Sequence, residues 1–295
     1  MSDIVHTWLD GDPLSTDKLD RGLLYGDGFF TTILLVDGQL ANWNQHWARL
    51  KDSAERLKFP ALNQANLMND LISIIKSRPA EPFEILKILI TRGKGGIGYQ
   101  PAEKSVPSIY IQRLPFPQDA SRKSLKIDQA WPFFELKMTL SETVCSQQPQ
   151  LAGLKHLNRL ENVLARQALM NTGFDEAVML TQNGEIISAT QSNLVLIEGN
   201  QLISPLLDQS GVQGTCLSSL PQALAEEGWT IESRHLSLAD LATAEEIFCC
   251  NSVRGVMPVK QFQHKDFETE KGTKIAQAWL KWQAAHLTDV KELKP

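Results

Sequence analysis

Apolar and polar residues follow two patterns along the first part of the chain, one typical of strands and one typical of helices. The β-branched and aromatic run at residues 29–36 predicts a strand, and Asp37-Gly38 predicts a hairpin turn that returns the chain through residues 39–43. Apolar side chains at intervals of three and four predict two helices, and two further apolar runs predict strands. These four elements are a helix over 44–57, a helix over 64–76, a strand over 84–91 and a strand that ends near Gln112.

Hairpins dominate the second part of the chain. Residues 177–187 and 193–203 each predict two short strands, joined by turns at Asn183-Gly184 and Gly199-Asn200. Four other elements are expected here: a strand over 125–131, a helix after Gly214, a strand over 246–249 and a helix over 274–285. The dominance of hairpins favours a pair of α+β domains over a doubly wound parallel sheet.

A segment of proline and turn-forming residues at 115–121 is the expected domain boundary. It predicts an N-terminal α+β domain at 1–114, an interdomain linker at 115–121 and a C-terminal domain at 122–295. The C-terminal domain would then contain the residue that carries most of the chemical argument, Lys155.

Lys155 precedes an apolar stripe formed by Leu157, Leu160, Leu164 and Ala168, so we expect it at or just before the first turn of a helix. A helix N-terminus disfavours positive charge, and partial burial would add a desolvation penalty. Both effects would lower the pKa of the ammonium group. An amine of lowered pKa is what a Schiff-base lysine needs. The alternative is a solvated lysine that flanks an amphipathic helix.

Composition narrows the class of protein. The 295 residues, 42% of them apolar, can form the core of one large or two medium domains. A net charge of -5 without a basic tract argues against a nucleic-acid binder. The four cysteines lack disulfide or zinc-ligand spacing, which fits a reducing compartment and predicts no metal site. Without a basic and apolar leader or an apolar run of about 18 residues, we expect a cytoplasmic protein with no membrane partner.

Three features together resemble the fold type IV class of pyridoxal-phosphate (PLP) enzymes. They are a Lys-x-x-Asn-x-Leu motif that begins at Lys155, a downstream Gly-x-x-Gly that ends at Gly214, and the string of residues 151–161 around the lysine. The class includes branched-chain and D-amino acid aminotransferases and aminodeoxychorismate lyases. The string is similar to the lyases in particular, since aminotransferases usually have Asn-Tyr-Leu where this chain has Asn-Arg-Leu. The resemblance extends over residues 20–259.

This resemblance implies a two-domain α+β fold, with a small N-terminal α/β sandwich and a larger C-terminal pseudo-barrel domain that binds PLP. It also implies a homodimer and an anionic small-molecule substrate. The implied reaction converts 4-amino-4-deoxychorismate to 4-aminobenzoate and pyruvate in folate biosynthesis, a carbon-oxygen lyase reaction in which Lys155 is the Schiff-base lysine and the general acid and base. Three alternatives remain open: a fold type IV aminotransferase acting on small amino acids or amines, a PLP-binding protein without turnover, and an unrelated α+β binding module.

The resemblance further implies a set of site residues. A helix that opens at a glycine presents backbone N–H groups to a phosphate, and an arginine adds a charged fork. The implied cofactor-binding residues are Arg49, Lys155, Arg159, Ser188, Asn193, Gly214, Thr215 and Ser252, and the implied substrate residues are Thr31, Arg92 and Tyr99. The alternative for Arg159 is a purely structural role, in a salt bridge to Glu161 or Glu176.

Two positions depart from the family pattern. Ser188 stands five residues before Asn193, where the family usually carries a glutamate that pairs with the pyridine nitrogen. Glu185 is no substitute, because it lies three residues earlier and strand side chains alternate with period two. The loss of that charge weakens an aminotransferase interpretation more than a lyase interpretation. In the glycine-rich loop at 92–99, which lacks P-loop and Rossmann features, Ile97 replaces an arginine that the lyases often have.

Overall fold

The computed structural model describes residues 19–117 and 130–290, together with strands at 7–9, 12–14 and 122–126, for which, as for residue 130, only the backbone is described. The strands are β1 (Thr7–Leu9), β2 (Asp12–Leu14), β3 (Gly28–Val36), β4 (Gln39–Ala41), β5 (Phe83–Thr91), β6 (Ser108–Pro115), β7 (Arg122–Lys126), β8 (Ala130–Phe134), β9 (Leu136–Leu140), β10 (Glu176–Leu180), β11 (Ile186–Ala189), β12 (Asn193–Glu198), β13 (Gln201–Pro205), β14 (Thr230–Arg234), β15 (Glu246–Asn251), β16 (Gly255–Phe262), β17 (Lys265–Asp266) and β18 (Leu287–Thr288). The helices are α1 (Arg21–Tyr25), α2 (Trp43–Arg56), α3 (Gln64–Lys76), α4 (Leu160–Ala168), α5 (Thr215–Ala223), α6 (Leu238–Thr243) and α7 (Glu270–Ala285).

The first sheet has five strands in the order β18-β4-β3-β5-β6, all antiparallel to their neighbours. Successive side chains of β3 point to opposite faces. Phe29, Ile33 and Leu35 pack with α2 and α3 in one core, whereas Leu34 and Val36 belong to the core of the second sheet. Strand β3 therefore lies between the two halves of the molecule. Because its side chains alternate between two faces, only every second one can reach a site between the halves.

The second sheet has nine strands, in the order β11-β10-β9-β16-β15-β12-β13-β14 with β17 paired to β16. Most pairs are antiparallel, but β9 is parallel to both β10 and β16, and β13 is parallel to β14. Its largest apolar cluster includes Trp131, Phe134, Phe248 and Trp279, all of them buried. The two sheets and their separate cores confirm the α+β, two-domain fold.

Most predicted elements are confirmed. The helix expected at 44–57 is α2, the helix expected at 64–76 is α3, and both predicted hairpins form as β10–β11 and β12–β13. The helix after Gly214 and the terminal helix are α5 and α7. Local periodicity and turn residues determine these elements without help from distant parts of the chain.

Two local predictions were wrong. The single strand expected at 125–131 is instead parts of β7 and β8, which pair antiparallel with Leu125 opposite Trp131. The helix expected to begin at Lys155 begins at Leu160, and its apolar stripe faces outward: Leu160 is 77% exposed and Leu164 is 55% exposed. The periodicity was real, but it marks an exposed face and not a core contact.

The domain boundary expected at 115–121 lies only partly within the described residues. Strand β6 extends to Pro115, and residues 118–121 of the expected linker lie outside the described part of the chain. The C-terminal end returns to the first sheet, because β18 pairs with β4 and Val290 packs in the first core.

Candidate active site

A cavity of about 540 Å³ lies between the two sheets. Its walls come from β3, α2, the segment around Lys155, the β11–β12 turn, the start of α5 and the loop after β15. All eight expected cofactor-binding residues line it: Arg49, Lys155, Arg159, Ser188, Asn193, Gly214, Thr215 and Ser252. The cavity thus brings together side chains from both halves of the molecule.

Lys155 is held in an extended segment between the two halves. Its carbonyl oxygen accepts a hydrogen bond from the Phe30 backbone N–H at 3.0 Å, and Gly153 forms an isolated β-bridge with Val212 through backbone hydrogen bonds to residues 211 and 213. The Lys155 Nζ lies 4.6 Å from the centre of the Phe30 ring. The amine is therefore positioned by sheet-like pairing and by an aromatic face.

The pKa of Lys155 is lowered from 10.5 to about 7, chiefly by burial and then by the neighbouring cations Arg49, Arg159 and Lys87, in that order. The predicted direction of the shift is confirmed. The predicted contribution of burial is confirmed as well. The predicted helix N-terminus is corrected, because Lys155 lies five positions before α4 and the rest of the shift comes from three cations. Near neutral pH this amine exists in both charged and uncharged forms.

The opposite wall of the cavity is suited to an anion. Arg49 donates from Nη2 to the Gln213 carbonyl oxygen at 2.7 Å, while its buried Nε has no partner among the described residues. Helix α5 begins after Gly214 without a side-chain cap, so the amide N–H groups of its first turn remain available. Burial lowers the pKa of Arg49 to about 10, which leaves it charged at neutral pH.

Ser188 and Asn193 flank a tight turn that a buried carboxylate holds. Glu176 accepts hydrogen bonds from the backbone N–H and hydroxyl of Thr190 and from the Ser192 hydroxyl. Burial raises the pKa of Glu176, although these donors oppose the shift. Asn193 donates to the Val212 carbonyl oxygen at 2.9 Å. The turn thereby fixes both cavity residues relative to the loop that precedes α5.

Three carboxylates near the site have other partners among the described residues. Glu161, on the cavity wall, accepts a hydrogen bond from the Ser146 backbone N–H at 2.8 Å. Glu185 lies 3.3 Å from the His235 ring, and Glu176 is committed to the turn. Ser188 itself is half-buried on the cavity wall. The local electrostatics at this position are those of a neutral hydroxyl.

Arg159 and Ser252 both line the cavity and make short internal hydrogen bonds. Arg159 donates to the carbonyl oxygens of Leu154 and His156 at 3.0 and 3.1 Å. It therefore makes these hydrogen bonds and not the alternative salt bridge to Glu161 or Glu176. Ser252 donates to the Thr32 carbonyl oxygen at 2.6 Å. Arg159 therefore holds the turn that follows Lys155 while keeping its charge close to the cavity.

The three expected substrate residues do not line the cavity. Thr31 is fully buried on the opposite face of β3, because its neighbours Phe30 and Thr32 take the cavity face. Arg92 pairs with Asp27 at 2.8 Å and lies over the Phe59 ring. Tyr99, in contrast, is 88% exposed in the glycine-rich loop.

Sequence reasoning missed the part that His46 plays. This fully buried residue lies 2.6 Å from the Thr31 hydroxyl and 3.5 Å from the Thr215 hydroxyl. It belongs to the same His-x-x-Arg-Leu motif as Arg49, three positions earlier on one helical face. That spacing was the available signal, and it places the imidazole next to the anion-binding wall.

None of the helices in the described part of the chain combines the length and apolar character needed to cross a membrane. The same part of the chain contains no group of three or more His, Cys, Asp or Glu side chains arranged to hold a metal ion.

Comparison with known proteins defines the class. A family model described as amino-transferase class IV matches residues 28–262. The chain belongs to this family.

Particular relatives narrow the comparison. The chain is 34% identical to an aminodeoxychorismate lyase from Vibrio harveyi over 254 residues, which cover 85% of this chain and 89% of the relative. It also matches the crystal structure of 4-amino-4-deoxychorismate lyase from Pseudomonas aeruginosa with a TM-score of 0.79 and 33% identity, covering 93% of this chain and 97% of that one.

A third match shows the fold alone. A hypothetical aminotransferase from Mycobacterium tuberculosis in its PLP-bound form has a TM-score of 0.73 and 19% identity, covering 94% of this chain and 97% of that one. Pyridoxal phosphate is the cofactor of this family, a class of PLP-dependent enzymes that contains lyases and aminotransferases.

Proposed function

We propose that this chain converts 4-amino-4-deoxychorismate to 4-aminobenzoate and pyruvate with pyridoxal phosphate as cofactor. The observation that carries the proposal is Lys155, an amine with a pKa of about 7 on the wall of a cavity that also holds an anion-binding helix start and Arg49. The similarity to two aminodeoxychorismate lyases supports the choice of substrate. The reaction needs no second reactant, because the atoms of the substrate are those of the two products.

The residues around the cavity fit the cofactor. The buried Arg49 Nε without a partner and the uncapped first turn of α5 are donors that a phosphate would satisfy. Lys155 would bind the aldehyde, and Ser188 would face the ring nitrogen. The remaining proposed cofactor contacts are Arg159, Asn193, Gly214, Thr215 and Ser252. When bound, pyridoxal phosphate supplies an aldehyde for the substrate amine and a conjugated ring that delocalises electrons.

Lys155 performs the proton transfers in this proposal. Its lowered pKa allows the free amine to accept the proton from ring carbon C4 of the substrate at neutral pH. The bond between the neighbouring ring carbon and the ether oxygen of the pyruvate group then breaks, the resulting ammonium group gives its proton to the released enolate of pyruvate, and the ring becomes aromatic. The Phe30 ring lies 4.6 Å from Nζ and covers one side of the amine. One residue therefore serves as base and then as acid.

Ser188 supports the lyase over an aminotransferase. A hydroxyl can hydrogen-bond a neutral pyridine nitrogen but cannot stabilise a pyridinium by charge, and Glu185 and Glu176 are engaged elsewhere. Transamination depends strongly on such charge. Elimination of pyruvate is assisted by formation of an aromatic ring, so a weaker electron sink suffices.

The test is an assay of the purified protein with PLP and 4-amino-4-deoxychorismate. Pyruvate is measured by coupled lactate dehydrogenase, and 4-aminobenzoate by its fluorescence after chromatography. We expect equal amounts of both products, and no products from Lys155→Ala. The matched control is Lys274→Ala, which changes an exposed lysine on α7. Amino-group exchange with keto acids and no pyruvate release would instead identify an aminotransferase.

We also propose that the chain acts as a homodimer. Helix α4, which borders the cavity, carries exposed apolar side chains, and others lie on α1 and the glycine-rich loop. They are Leu23, Leu24, Ile97, Tyr99, Leu160, Val163 and Leu164, together with Met170 just after α4. Large contiguous apolar patches mark protein interfaces, and we propose that these side chains form one. We propose as well a cytoplasmic location, a domain boundary at 115–121 and a PLP-binding domain at 122–295. The four unpaired cysteines fit a reducing compartment.

A further inference from the structure

His46 connects the two halves of the molecule at the anion-binding wall. Its Nδ1 lies 2.6 Å from Oγ1 of Thr31 in the first sheet, and its Nε2 lies 3.5 Å from Oγ1 of Thr215, the first residue of α5. All three side chains are buried. The imidazole is therefore the link between a strand of one domain and the helix start that would bind phosphate in the other.

The direction of this hydrogen-bond chain follows from its first member. Arg49 Nη1 lies 3.4 Å from Thr31 Oγ1 and can only donate. Thr31 Oγ1 accepts from Arg49, and among the described residues Nδ1 of His46 is the acceptor within reach of its own buried proton. Nδ1 is then an acceptor, which makes Nε2 the protonated nitrogen and the donor to Thr215 Oγ1.

The imidazole must be neutral if the hydrogen bonds from Arg49 through Thr31 and His46 to Thr215 are all to point in the same direction. Burial lowers the pKa of His46 well below its usual 6.5, and the charges of Arg49 and Lys155 lower it further. These cations come from its own helix and from the segment packed against it. A protonated ring would instead present a second donor to Thr31 and place a third positive charge beside them.

We propose that His46 is a positioning residue that holds the Thr215 hydroxyl as a hydrogen-bond donor toward the cofactor phosphate. Because Thr215 accepts from Nε2–H, its proton is left for an acceptor in the cavity that it lines. The same chain ties Thr215 to Arg49, so the two groups that would contact the phosphate from different domains are oriented together. This role rests on the proposed cofactor, and not on the proposed substrate.

The test compares binding of pyridoxal phosphate with binding of pyridoxal, which lacks the phosphate. The apo protein, His46→Asn, Thr215→Val and the double variant are titrated with each compound, and the ratio of the two dissociation constants gives the selectivity for phosphate. A lost neutral hydrogen bond predicts a selectivity reduced by about three- to tenfold in each single variant. The double variant should show no larger loss, because His46 acts through Thr215.

A purely structural role for His46 would weaken both compounds equally and leave the selectivity unchanged, which would overturn the proposal. Additive losses in the double variant would overturn it as well. If His46→Asn does not fold, Thr31→Val tests the same series of hydrogen bonds, because it removes the donor that fixes the His46 tautomer. Unchanged selectivity for phosphate in Thr31→Val would contradict the proposal. Altered selectivity without lyase activity would refute the proposed reaction and leave this role standing.

Discussion

Gly214 and Asn193 contact each other so closely that a β-carbon at position 214 would overlap the Asn193 Oδ1 atom and lie 3.1 Å from its Cγ. The backbone of Gly214 has a φ of -69°, which any residue can adopt, so the requirement for glycine is steric. Asn193 cannot easily move away, since it donates to the Val212 carbonyl oxygen. The glycine allows the start of α5 to approach the strand that carries Asn193.

Gly214→Ala should therefore destabilise the protein by about 1–3 kcal/mol, the usual cost of overpacking, and weaken binding of PLP. Chemical unfolding and absorbance titration measure the two effects. Shortening the opposing side chain should relieve the overlap, so Asn193→Ala combined with Gly214→Ala should be more stable than the sum of the single effects predicts. Strict additivity would show that the contact does not limit position 214.

Lys155 should make the stability of the apo protein depend on pH. Its folded pKa of about 7 lies below the usual 10.5, so the unfolded chain binds the proton more tightly. The resulting destabilisation is fully present below pH 7 and disappears as pH rises to about 10.5. Lys155→Met should accordingly raise the free energy of unfolding by more than about 1.4 kcal/mol at pH 6.5, with a smaller gain at pH 10.

Urea unfolding of the apo protein at pH 6.5, 8 and 10 measures this effect. The exposed Lys51, changed to Met, serves as the control for loss of a surface charge. A gain of the same size at all three pH values would show that Lys155→Met acts through packing and not through the charge.

Arg49→Ala should lower the affinity for PLP by about tenfold or more, because it removes a charge-assisted contact of roughly 1.5–3 kcal/mol. Arg49→Lys keeps the charge but not the planar fork, so an intermediate loss is expected. Equilibrium titration of the apo variants provides the measurement. Wild-type affinity in both variants would limit Arg49 to its contacts with the Gln213 carbonyl oxygen and the Thr31 hydroxyl.

Ser188→Glu should strengthen the electron sink by restoring the carboxylate usual in the family. We expect slow half-transamination of ordinary amino acids to rise by about tenfold, seen as the change of the cofactor spectrum to its pyridoxamine form. Ser188→Gln, similar in size but neutral, is the matched control and should not show the rise. If the glutamate variant keeps both wild-type activities, Ser188 does not contact the cofactor.

Replacing Leu160 and Leu164 with glutamate should convert the proposed dimer to monomer at micromolar concentration. Both side chains are already exposed on α4, so the fold of the single chain should be preserved. Light scattering gives the mass, and circular dichroism checks the fold. The control is Lys281→Glu on the exposed side of α7. A wild-type protein that is fully active as a monomer would refute the dimer.

Local sequence determined most of the secondary structure and indicated which residues line the site. Helices α2 and α3 and the two hairpins follow from periodicity and from turn residues, which act within a few positions of the chain. The motif around Lys155 indicated the amine, and its resemblance to a family indicated seven further residues that line the same cavity. Such information is carried by short strings, so no knowledge of packing was needed.

Tertiary structure decided which faces are buried and what each charge meets. The stripe on α4 has a helical period, yet Leu160 faces outward, because burial depends on a neighbour that periodicity cannot reveal. The lowered pKa of Lys155 results from desolvation and from three cations, of which Arg49 and Lys87 are distant in sequence and approach only in the fold. The alternation of β3 likewise assigns Thr31 to His46 and not to the cavity. Burial and Coulomb interactions depend on distances in space, and distant parts of the sequence meet only after the chain has folded.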